Sequence, residues 1–234
     1  METILAVAAE PFELRGLTAL ASRSEALPWP VDFARLAEVN GRRWAMVAGG
    51  AGARLAARAV ECAGRRMRVD KVVSTGFCGA VDEELEPGEV FVATRVVDAD
   101  GSPVCEAGDP GSRRPHSKGV LASVNRVVSS EAQRRALRER GAAVVEMEAA
   151  GVARWAQERG LPFYCVRAVT DTAKENFSID FDAARDAEGR FQRLRICQAA
   201  LRQPWRAVPE LVKFAWRARR CSQALGEFLA DCTF

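Results

Sequence analysis

Two glutamates stand two positions apart in the stretch VVEMEAAG, which spans residues 144–151. An apolar run leads into this stretch and a helical pattern leads out of it, so a buried strand is expected to end here. Side chains along a strand alternate between its faces, which puts Glu146 and Glu148 on one face and Met147 on the other. If the strand ends at this point, Glu148 can open into a crevice. The pattern therefore predicts a carboxylate placed to hold a ligand.

Acidic residues and glycine-rich segments also follow other predicted strands. In open α/β sheets, ligands bind beyond the carboxyl ends of the parallel strands, so these residues should meet at one edge of the sheet. They are Glu10 and Glu13 after the first strand, GGAG (49–52), TGFCGA (75–80), Met147 with Glu148, and Thr170 with Asp171. The set predicts a site in which four acids lie close to two glycine turns.

Each member of this set has a simpler interpretation when it is taken alone. Glu148 fits an acid at a helix N-terminus, Asp171 a helix cap, and Met147 a core residue. The GGAG segment resembles part of a dinucleotide fingerprint, but Leu55 stands where the third glycine belongs, and Asp70 precedes the next strand instead of ending it. A tight turn explains GGAG equally well. The combination of residues, more than any one of them, therefore favours a site.

Strand and helix patterns alternate along the chain. Asn40-Gly41 predicts a hairpin turn, because both central positions of that turn need positive φ. Strands are expected at 3–9, 71–76, 89–99, 119–124, 142–148 and 162–171, and helices from Pro11 and at 51–66, 130–140, 149–159 and most of 182–232. This alternation predicts an α/β fold: a single domain, residues 1–234, with a mixed, mostly parallel central sheet flanked by helices and C-terminal helices over about 182–232. Residues 101–119 lack periodicity, so they are expected to form a long loop and a candidate lid.

Composition argues against several function classes. The 34 basic and 31 acidic side chains leave a net charge of +3, with no basic block suited to nucleic acid. The single histidine, His116, argues against a histidine-based zinc site and against a Ser-His-Asp triad. Seven cysteines without a C-x-x-C pair predict reduced thiols. The N-terminal stretch has no signal-peptide pattern, so a cytoplasmic location is expected.

The motifs together resemble the purine nucleoside phosphorylase and nucleosidase superfamily, above all its methylthioadenosine/S-adenosylhomocysteine nucleosidase branch. The resemblance covers residues 3 to about 182. It is carried by EPFEL (10–14), by TGFCGAVDEELEPGEVFVATRVVDAD (75–100), by VVEMEAAGVARWAQERGLPFYCVRAVTDTA (144–173) and by Phe181. The tail DAEGRFQRLRICQAALRQPWRAVP (186–209) is similar to bacterial hopanoid-associated phosphorylases.

This resemblance implies cleavage of an N-ribosidic bond, which passes through an oxocarbenium-like sugar. It implies that Glu148 binds the 2′- and 3′-hydroxyls of the ribose and that Met147 packs against the sugar and base. Asp171 would protonate the purine N7 or hydrogen-bond to it, provided that burial raises its pKa. Glu13 would activate the attacking water, and Glu10 is close enough in sequence to be the alternative.

The sequence departs from the family pattern around the base and around the nucleophile. Val127 replaces an aromatic residue that stacks on adenine in the nucleosidases, while Val128 would offer backbone contacts. Ser74 and Phe77 stand where the hexameric phosphorylases have their phosphate ligands, and Phe77 also reshapes the floor of the site. Water is therefore favoured over phosphate, although Arg15 or Arg126 would be available to hold phosphate. Phe181 would cover the 5′ end of the substrate.

The expected function is hydrolysis of a purine nucleoside, with adenine as the base and an apolar 5′ substituent. The alternatives are phosphorolysis of such a nucleoside and a catalytically silent nucleoside-binding protein. No metal and no organic cofactor is implied, and the family resemblance implies a homo-oligomer, most simply a homodimer. Membrane contact through the C-terminal helices is a further alternative, since these helices carry Phe191, Trp205, Phe214 and Trp216 among basic residues. Such aromatics are more often core residues, so packing against the sheet is the favoured interpretation.

Overall fold

Ten strands form one mixed sheet in the computed structural model, which describes residues 2–177 and 204–234. The strands are β1 Thr3–Ala8, β2 Arg23–Ala26, β3 Phe33–Val39, β4 Arg42–Ala48, β5 Lys71–Ala80, β6 Val90–Val97, β7 Pro103–Glu106, β8 Ser117–Ser123, β9 Val144–Glu146 and β10 Phe163–Asp171. The α-helices are α1 Arg15–Ala19, α2 Ala53–Gly64, α3 Glu131–Arg138, α4 Ala149–Glu158 and α5 Pro204–Asp231, and a 3-10 turn covers Pro11–Leu14. The predicted α/β class and mixed sheet flanked by helices are confirmed. The extent of a single domain over residues 1–234 stays a prediction.

Four strands run parallel to one another and end at the same edge of the sheet. β1 pairs in parallel with β4 and β5, and β5 pairs in parallel with β10. The β3–β4 hairpin turns at Asn40 and Gly41, whose φ values of 50° and 72° confirm the predicted turn. The carboxyl ends of β1, β4, β5 and β10 therefore lie side by side, as the sequence analysis expected.

Part of the sheet closes on itself, which the sequence did not predict. β10 pairs with both β5 and β6, so the path β10–β6–β8–β9–β5 forms a closed ring of five strands. β6, β8 and β9 are parallel to each other, whereas β6 is antiparallel to β10 and β9 to β5. The ring brings the end of β9, which carries the VVEMEAAG motif, against the long strand β5.

Helices cover both faces of this sheet. The alternation of side chains along β5 sends Val72 towards one core and Val73 towards the other. The first core contains residues of α2 and α4, such as Leu55 and Trp155, and the second contains residues of α1 and α5, such as Leu17, Leu225 and Phe228. The described cysteines are free thiols, and all except Cys62 are buried, as expected for reduced core residues.

Two expectations about irregular segments are wrong. TGFCGA was expected to follow the strand as a turn, but it continues strand β5 to Ala80. The candidate lid contains strand β7, which pairs with β6. The rest of that segment contacts the C-terminal part of α5: Ser112 Oγ donates to Asp231 Oδ2 at 2.7 Å, and Arg114 pairs with Glu227 at 2.8 Å. These contacts hold the segment against a helix instead of over the predicted site.

Helix α5 runs antiparallel to β5 and β10. Arg217 Nη1 donates to the carbonyl oxygen of Thr170 at the carboxyl end of β10 (3.2 Å), whereas Lys71 Nζ at the amino end of β5 donates to the carbonyl oxygen of Phe234 (3.3 Å). A helix of 28 residues is about 42 Å long, so the half before Arg217 extends past the edge where β10 ends.

The aromatic residues on this half of α5 do not pack in the core. Trp205 is 77% exposed, Trp216 59% and Phe214 39%, so the expectation that they pack against the sheet is wrong for these three. A packed core needs a partner element on the same side, and the α5 residues in the described core come from its later turns: Cys221, Leu225, Phe228 and Leu229. Phe181 and Phe191 lie outside the described residues. No helix in the described ranges is long and apolar enough to cross a membrane.

Candidate active site

Glu13 lies in the short turn that follows β1, with Pro11 at the start of that turn. Its carboxylate is buried and accepts three backbone hydrogen bonds: Oε2 from the N–H groups of Ala9 and Glu10, both at 2.9 Å, and Oε1 from the N–H of Phe77 at 2.8 Å. Burial raises the pKa of Glu13, although these backbone donors act against the increase. Glu10 is only half-buried, so Glu13 is the better-fixed of the two glutamates.

Glu148 precedes the first residue of α4 and is also buried. Its Oε1 accepts a hydrogen bond from the N–H of Gly52 at 2.8 Å. The GGAG segment therefore uses its last glycine to hold a protein carboxylate, which explains the segment without a bound dinucleotide. Burial and the neighbouring Glu146 raise the pKa of Glu148 to about 8, against the opposing effect of Arg167.

Glu146 does not share the environment of Glu148, because strand alternation stops where β9 ends. The Glu146 carboxylate forms a buried ion pair with Arg167 and accepts hydrogen bonds from the N–H groups of Glu148 and Ala149, each at 2.9 Å from Oε2. Arg167 also donates to Ser74 Oγ at 2.8 Å. Glu146 is thus a structural residue that supports the turn carrying Glu148.

Met147 contributes to an apolar wall beside these carboxylates. It is buried in a cluster with Val124 and Val145, and the half-buried Val127 and Val128 pack against the same cluster. The structure therefore brings together the three apolar residues that the sequence analysis assigned to the sugar and base.

Asp171 is the last residue of β10 and is buried. Its Oδ1 accepts a hydrogen bond from Thr170 Oγ1 at 2.7 Å, and its Oδ2 lies 2.5 Å from Nη2 of Arg134. Burial raises the pKa of Asp171, while the Arg134 guanidinium opposes the increase. Asp171 is therefore part of an ion pair that the sequence analysis did not anticipate.

Arg134 was missed because the helix SEAQRRALRER offers several arginines of similar appearance. Arg134 is three residues before Leu137, so the two share one face of α3, and both are buried. Arg135 and Arg138 point to the other side, where they pair with Glu139 and Glu83. The spacing to Leu137, the most apolar residue of this helix, is the signal that could have identified the inward-facing arginine.

Two glycines of β5 make room for the catalytic candidates. A Cβ atom on Gly76 would lie 2.6 Å from Glu13 Oε1, and one on Gly79 would lie 2.7 Å from Asp171 Oδ2. Three residues of extended strand span about 10 Å, so the two carboxyl groups contact β5 at points roughly that far apart. The glycines of TGFCGA thus do not form a turn; they let two carboxylates approach the strand from different elements.

Phe77 lies between these two glycines and is half-buried. Its ring meets the ring of Phe12 edge to face, with centroids 6.3 Å apart.

Phe177 is an aromatic residue near the site that the sequence did not predict. Its N–H donates to the Ser129 carbonyl at 2.9 Å, and its ring centre lies 5.5 Å from Cζ of Arg134. An aromatic ring therefore lies close to Val128, even though Val127 is aliphatic.

Ser74, Arg15 and Arg126, the residues considered as phosphate ligands, do not lie together in a buried anion site. Ser74 is buried and its hydroxyl accepts from Arg167, while Arg15 and Arg126 are exposed on the surface. Among the described residues, no group of three or more His, Cys, Asp or Glu side chains has the arrangement of a metal site. Phe181, expected at the 5′ end of a substrate, lies outside the described residues.

The chain has clear relatives in sequence and in structure. The family model described as "Phosphorylase superfamily" matches residues 4–113 and 103–202. The 5′-methylthioadenosine/S-adenosylhomocysteine nucleosidase of Staphylococcus aureus (strain bovine RF122 / ET3-1) is 28% identical over 145 residues. This match covers 50% of the chain and 64% of that protein, so less than two thirds of the relative is spanned.

Two solved structures share the fold over nearly the whole chain. The nucleosidase of the same name from S. pneumoniae, solved with a transition-state inhibitor, has a TM-score of 0.72 at 19% identity and covers 98% of this chain and 99% of its own. A mutant of futalosine hydrolase from Helicobacter pylori strain 26695 has a TM-score of 0.71 at 18% identity, covering 99% and 98%. At these identities the similarity shows a common fold.

Proposed function

Because the chain belongs to the phosphorylase superfamily, we propose that it cleaves the N-ribosidic bond of a purine nucleoside, with adenine as the base, by hydrolysis. The observation that carries the proposal is the placement of Glu13 and Asp171, two buried carboxyl groups that contact one strand at points about 10 Å apart. Glu13 follows β1 and Asp171 ends β10, two strands whose carboxyl ends lie at the edge where open α/β sheets bind their ligands, so a riboside at this edge would meet both buried carboxyl groups. The similarity to nucleosidases from two bacteria supports the same activity.

Glu13 is the proposed general base. An ionised carboxylate offers about four lone-pair positions, and three of those of Glu13 are occupied by backbone N–H groups. The remaining position can accept a proton from water. Burial raises the pKa of Glu13, which makes its carboxylate a stronger base than an exposed glutamate.

Asp171 is the proposed general acid. Its pKa is raised by burial, so the group can carry a proton nearer to neutral pH than an exposed aspartate can. Transfer of this proton to N7 of the purine as the ribosidic bond breaks would let the base leave as a neutral molecule. Glu148 and Met147 complete the proposal: Glu148 binds the ribose hydroxyls, and Met147 packs against the sugar and base.

The arrangement around Ser74 supports water over phosphate as the nucleophile. Ser74 already accepts from Arg167, and Arg15 and Arg126 are exposed, with the guanidinium of Arg15 5.6 Å from the ring centre of Phe12. Phosphorolysis remains the alternative reaction, and a silent nucleoside-binding protein the alternative of another class. The presence of both an acid and a base in buried positions argues against the binder, which needs neither.

The N-terminal half of α5 supports an apolar 5′ substituent. It extends past the edge of the sheet at which Asp171 lies, and it exposes Trp205, Val212 and Trp216. These positions are seven and four residues apart, so the three side chains share one face of the helix.

We also propose a homo-oligomer, most simply a homodimer, in the cytoplasm. The same apolar face, with basic neighbours such as Lys213 and Arg219, is the part of the chain that membrane contact would use.

A panel of nucleosides incubated with and without phosphate tests the reaction. Free base and ribose 1-phosphate are measured separately for adenosine, inosine and 5′-alkylthio adenosines of increasing chain length. We expect base release that does not depend on phosphate and is fastest for a 5′-alkylthio adenosine. Ribose 1-phosphate as the main product would establish the phosphorylase alternative, and the absence of base release from every compound would favour the binding protein.

A further inference from the structure

Arg134 joins three parts of the proposed base site. The side chain is 1% exposed. Nη1 donates to the carbonyl oxygen of Ala80 at 2.9 Å, and Nη2 donates to the carbonyl oxygen of Val128 at 3.3 Å. Nη2 also lies 2.5 Å from Asp171 Oδ2. One guanidinium therefore contacts the end of β5, the apolar wall and the proposed acid.

The contact with Asp171 is a charge contact more than a directed hydrogen bond. Within the described residues, Asp171 Oδ2 has no hydrogen bond of good geometry, and Nε of Arg134 has none either. A buried ion pair that is poorly aligned does not fully repay the loss of hydration of its two charges. Oδ2 is thus free to accept a better-aligned donor once a ligand enters.

The other charged groups around Asp171 do not replace Arg134. Glu175 is negative, but Lys213 pairs with it at 2.5 Å and Arg217 at 2.7 Å, so its charge is balanced. The thiols of Cys78 and Cys221 also face Asp171, and burial raises the pKa of each, which keeps them neutral at pH 7. Arg134 is therefore the cation that acts directly on the Asp171 carboxylate among the described residues.

The hydrogen bond from Arg134 to the carbonyl oxygen of Val128 bears on how a substrate would bind. This backbone group was expected to bind the purine, yet Arg134 already donates to it. A guanidinium and the amidine edge of adenine both present N–H donors in one plane. A backbone carbonyl oxygen has two lone pairs, so a base that binds there meets Arg134 at the same oxygen, and the 3.3 Å hydrogen bond from Nη2 is the longer of the two that Arg134 donates to backbone carbonyls.

We propose that Arg134 is a positioning residue that keeps Asp171 ionised in the empty enzyme and releases it when the base binds. The proposal rests on the hydrolase function given above. As the base takes the Val128 carbonyl, the guanidinium moves away from Asp171, and the carboxylate takes up one proton from solvent. That proton passes to N7 when the C1′–N9 bond breaks, and the bonding electron pair leaves with the base, so Asp171 ends as the carboxylate again.

The pH profiles of base release test this coupling in the wild-type enzyme. A general acid is active when it is protonated, so activity falls as pH rises through its pKa. The kcat/KM profile reports the free enzyme and the kcat profile reports the complex. We expect the basic limb of kcat to lie at a pH about one unit or more above that of kcat/KM, since an adjacent arginine lowers the pKa of an aspartate by about 1–3 units.

Substitutions at Arg134 test whether this residue causes the difference between the basic limbs of kcat and kcat/KM. In Arg134→Gln, and in Arg134→Met, which better fills the volume, the basic limb of kcat/KM should move up by about one unit or more, while the limb of kcat stays in place. Arg134→Lys keeps the charge and should keep the wild-type limb of kcat/KM. Arg135→Gln, in the same helix but with a side chain 71% exposed, removes the same charge and should leave both profiles unchanged. The position of a limb does not depend on how much of a variant is folded.

The outcomes separate this inference from the proposed function. A wild-type enzyme that releases no base at any pH would overturn the proposed function. A wild-type enzyme that releases base with coincident limbs for kcat and kcat/KM would overturn the inference alone. So would a basic limb of kcat/KM that stays unmoved in Arg134→Gln and Arg134→Met.

Discussion

Arg167 and Glu146 form an ion pair in which neither side chain is more than 1% exposed. Glu146 also accepts hydrogen bonds from the N–H groups of Glu148 and Ala149. The pair therefore fixes the turn from which Glu148 enters the site. Since Arg167 lies on β10 and Glu146 on β9, this contact also links two strands of the closed ring.

Breaking this pair should destabilise the fold strongly. Arg167→Met leaves the Glu146 carboxylate buried without its cation, which typically costs about 3–5 kcal/mol. The measurement is the free energy of unfolding from urea denaturation. The matched control is Arg95→Gln, which removes one partner of an exposed pair with Glu106 and should cost less than about 1 kcal/mol. Equal losses in the two variants would contradict the structural role given to Arg167.

Glu148 should make stability depend on pH. Its pKa is about 8 in the folded protein and near 4.5 when unfolded, so folding favours the neutral form. Its contribution to stability is therefore complete below pH 4.5 and is lost as pH rises towards 8. Glu148→Gln stays neutral throughout, so the variant should gain stability relative to the wild type as pH increases over this range. Urea unfolding at several pH values measures the difference. If the stability curves of the two proteins run parallel, folding does not raise the pKa of Glu148, and the prediction is wrong.

The sequence predicted the carboxylates of the candidate site better than it predicted the residues that contact them. Glu13 and Asp171 lie at the carboxyl ends of β1 and β10, two strands parallel to β5, so their position at one edge follows from local patterns. β9 runs antiparallel to β5, so the position of Glu148 does not follow from that rule. The roles of Gly76 and Gly79 depend on side chains that arrive from distant segments. The burial of Arg134 depends on which face of α3 turns inward, and Leu137 is the one strongly apolar residue that marks this face. Such long-range contacts leave little trace in the periodicity of a single segment.

The choice between Glu13 and Glu10 can be settled with two matched variants. Glu13→Gln places an amide NH2 among three backbone N–H donors and removes the base, so base release should fall by roughly 10²- to 10⁴-fold. Glu10→Gln changes a half-buried neighbour and should keep base release within a few-fold of the wild type. Initial rates of base release at saturating nucleoside provide the comparison. The opposite order of the two losses would assign the base to Glu10.

Asp171→Asn tests the proposed acid. Asparagine keeps the shape of the side chain and can still accept from Thr170 Oγ1, but it cannot deliver a proton at pH 7. Turnover should therefore fall by roughly 10²- to 10⁴-fold, the usual size of a general-acid contribution. Binding should survive, because the amide can still hydrogen-bond to a purine; calorimetric titration of the variant with the nucleoside measures it.

A surface aspartate supplies the control for this variant. Asp109 pairs with Lys118 where both side chains are more than 40% exposed, so Asp109→Asn removes the same charge without touching the site and should leave turnover unchanged. Loss of turnover without loss of binding in Asp171→Asn assigns a chemical role to the residue, because a purely structural residue would affect stability first. Turnover within a few-fold of the wild type would leave Asp171 with its structural ion pair to Arg134 alone, and the proton for the departing base would then have to come from another group or from water.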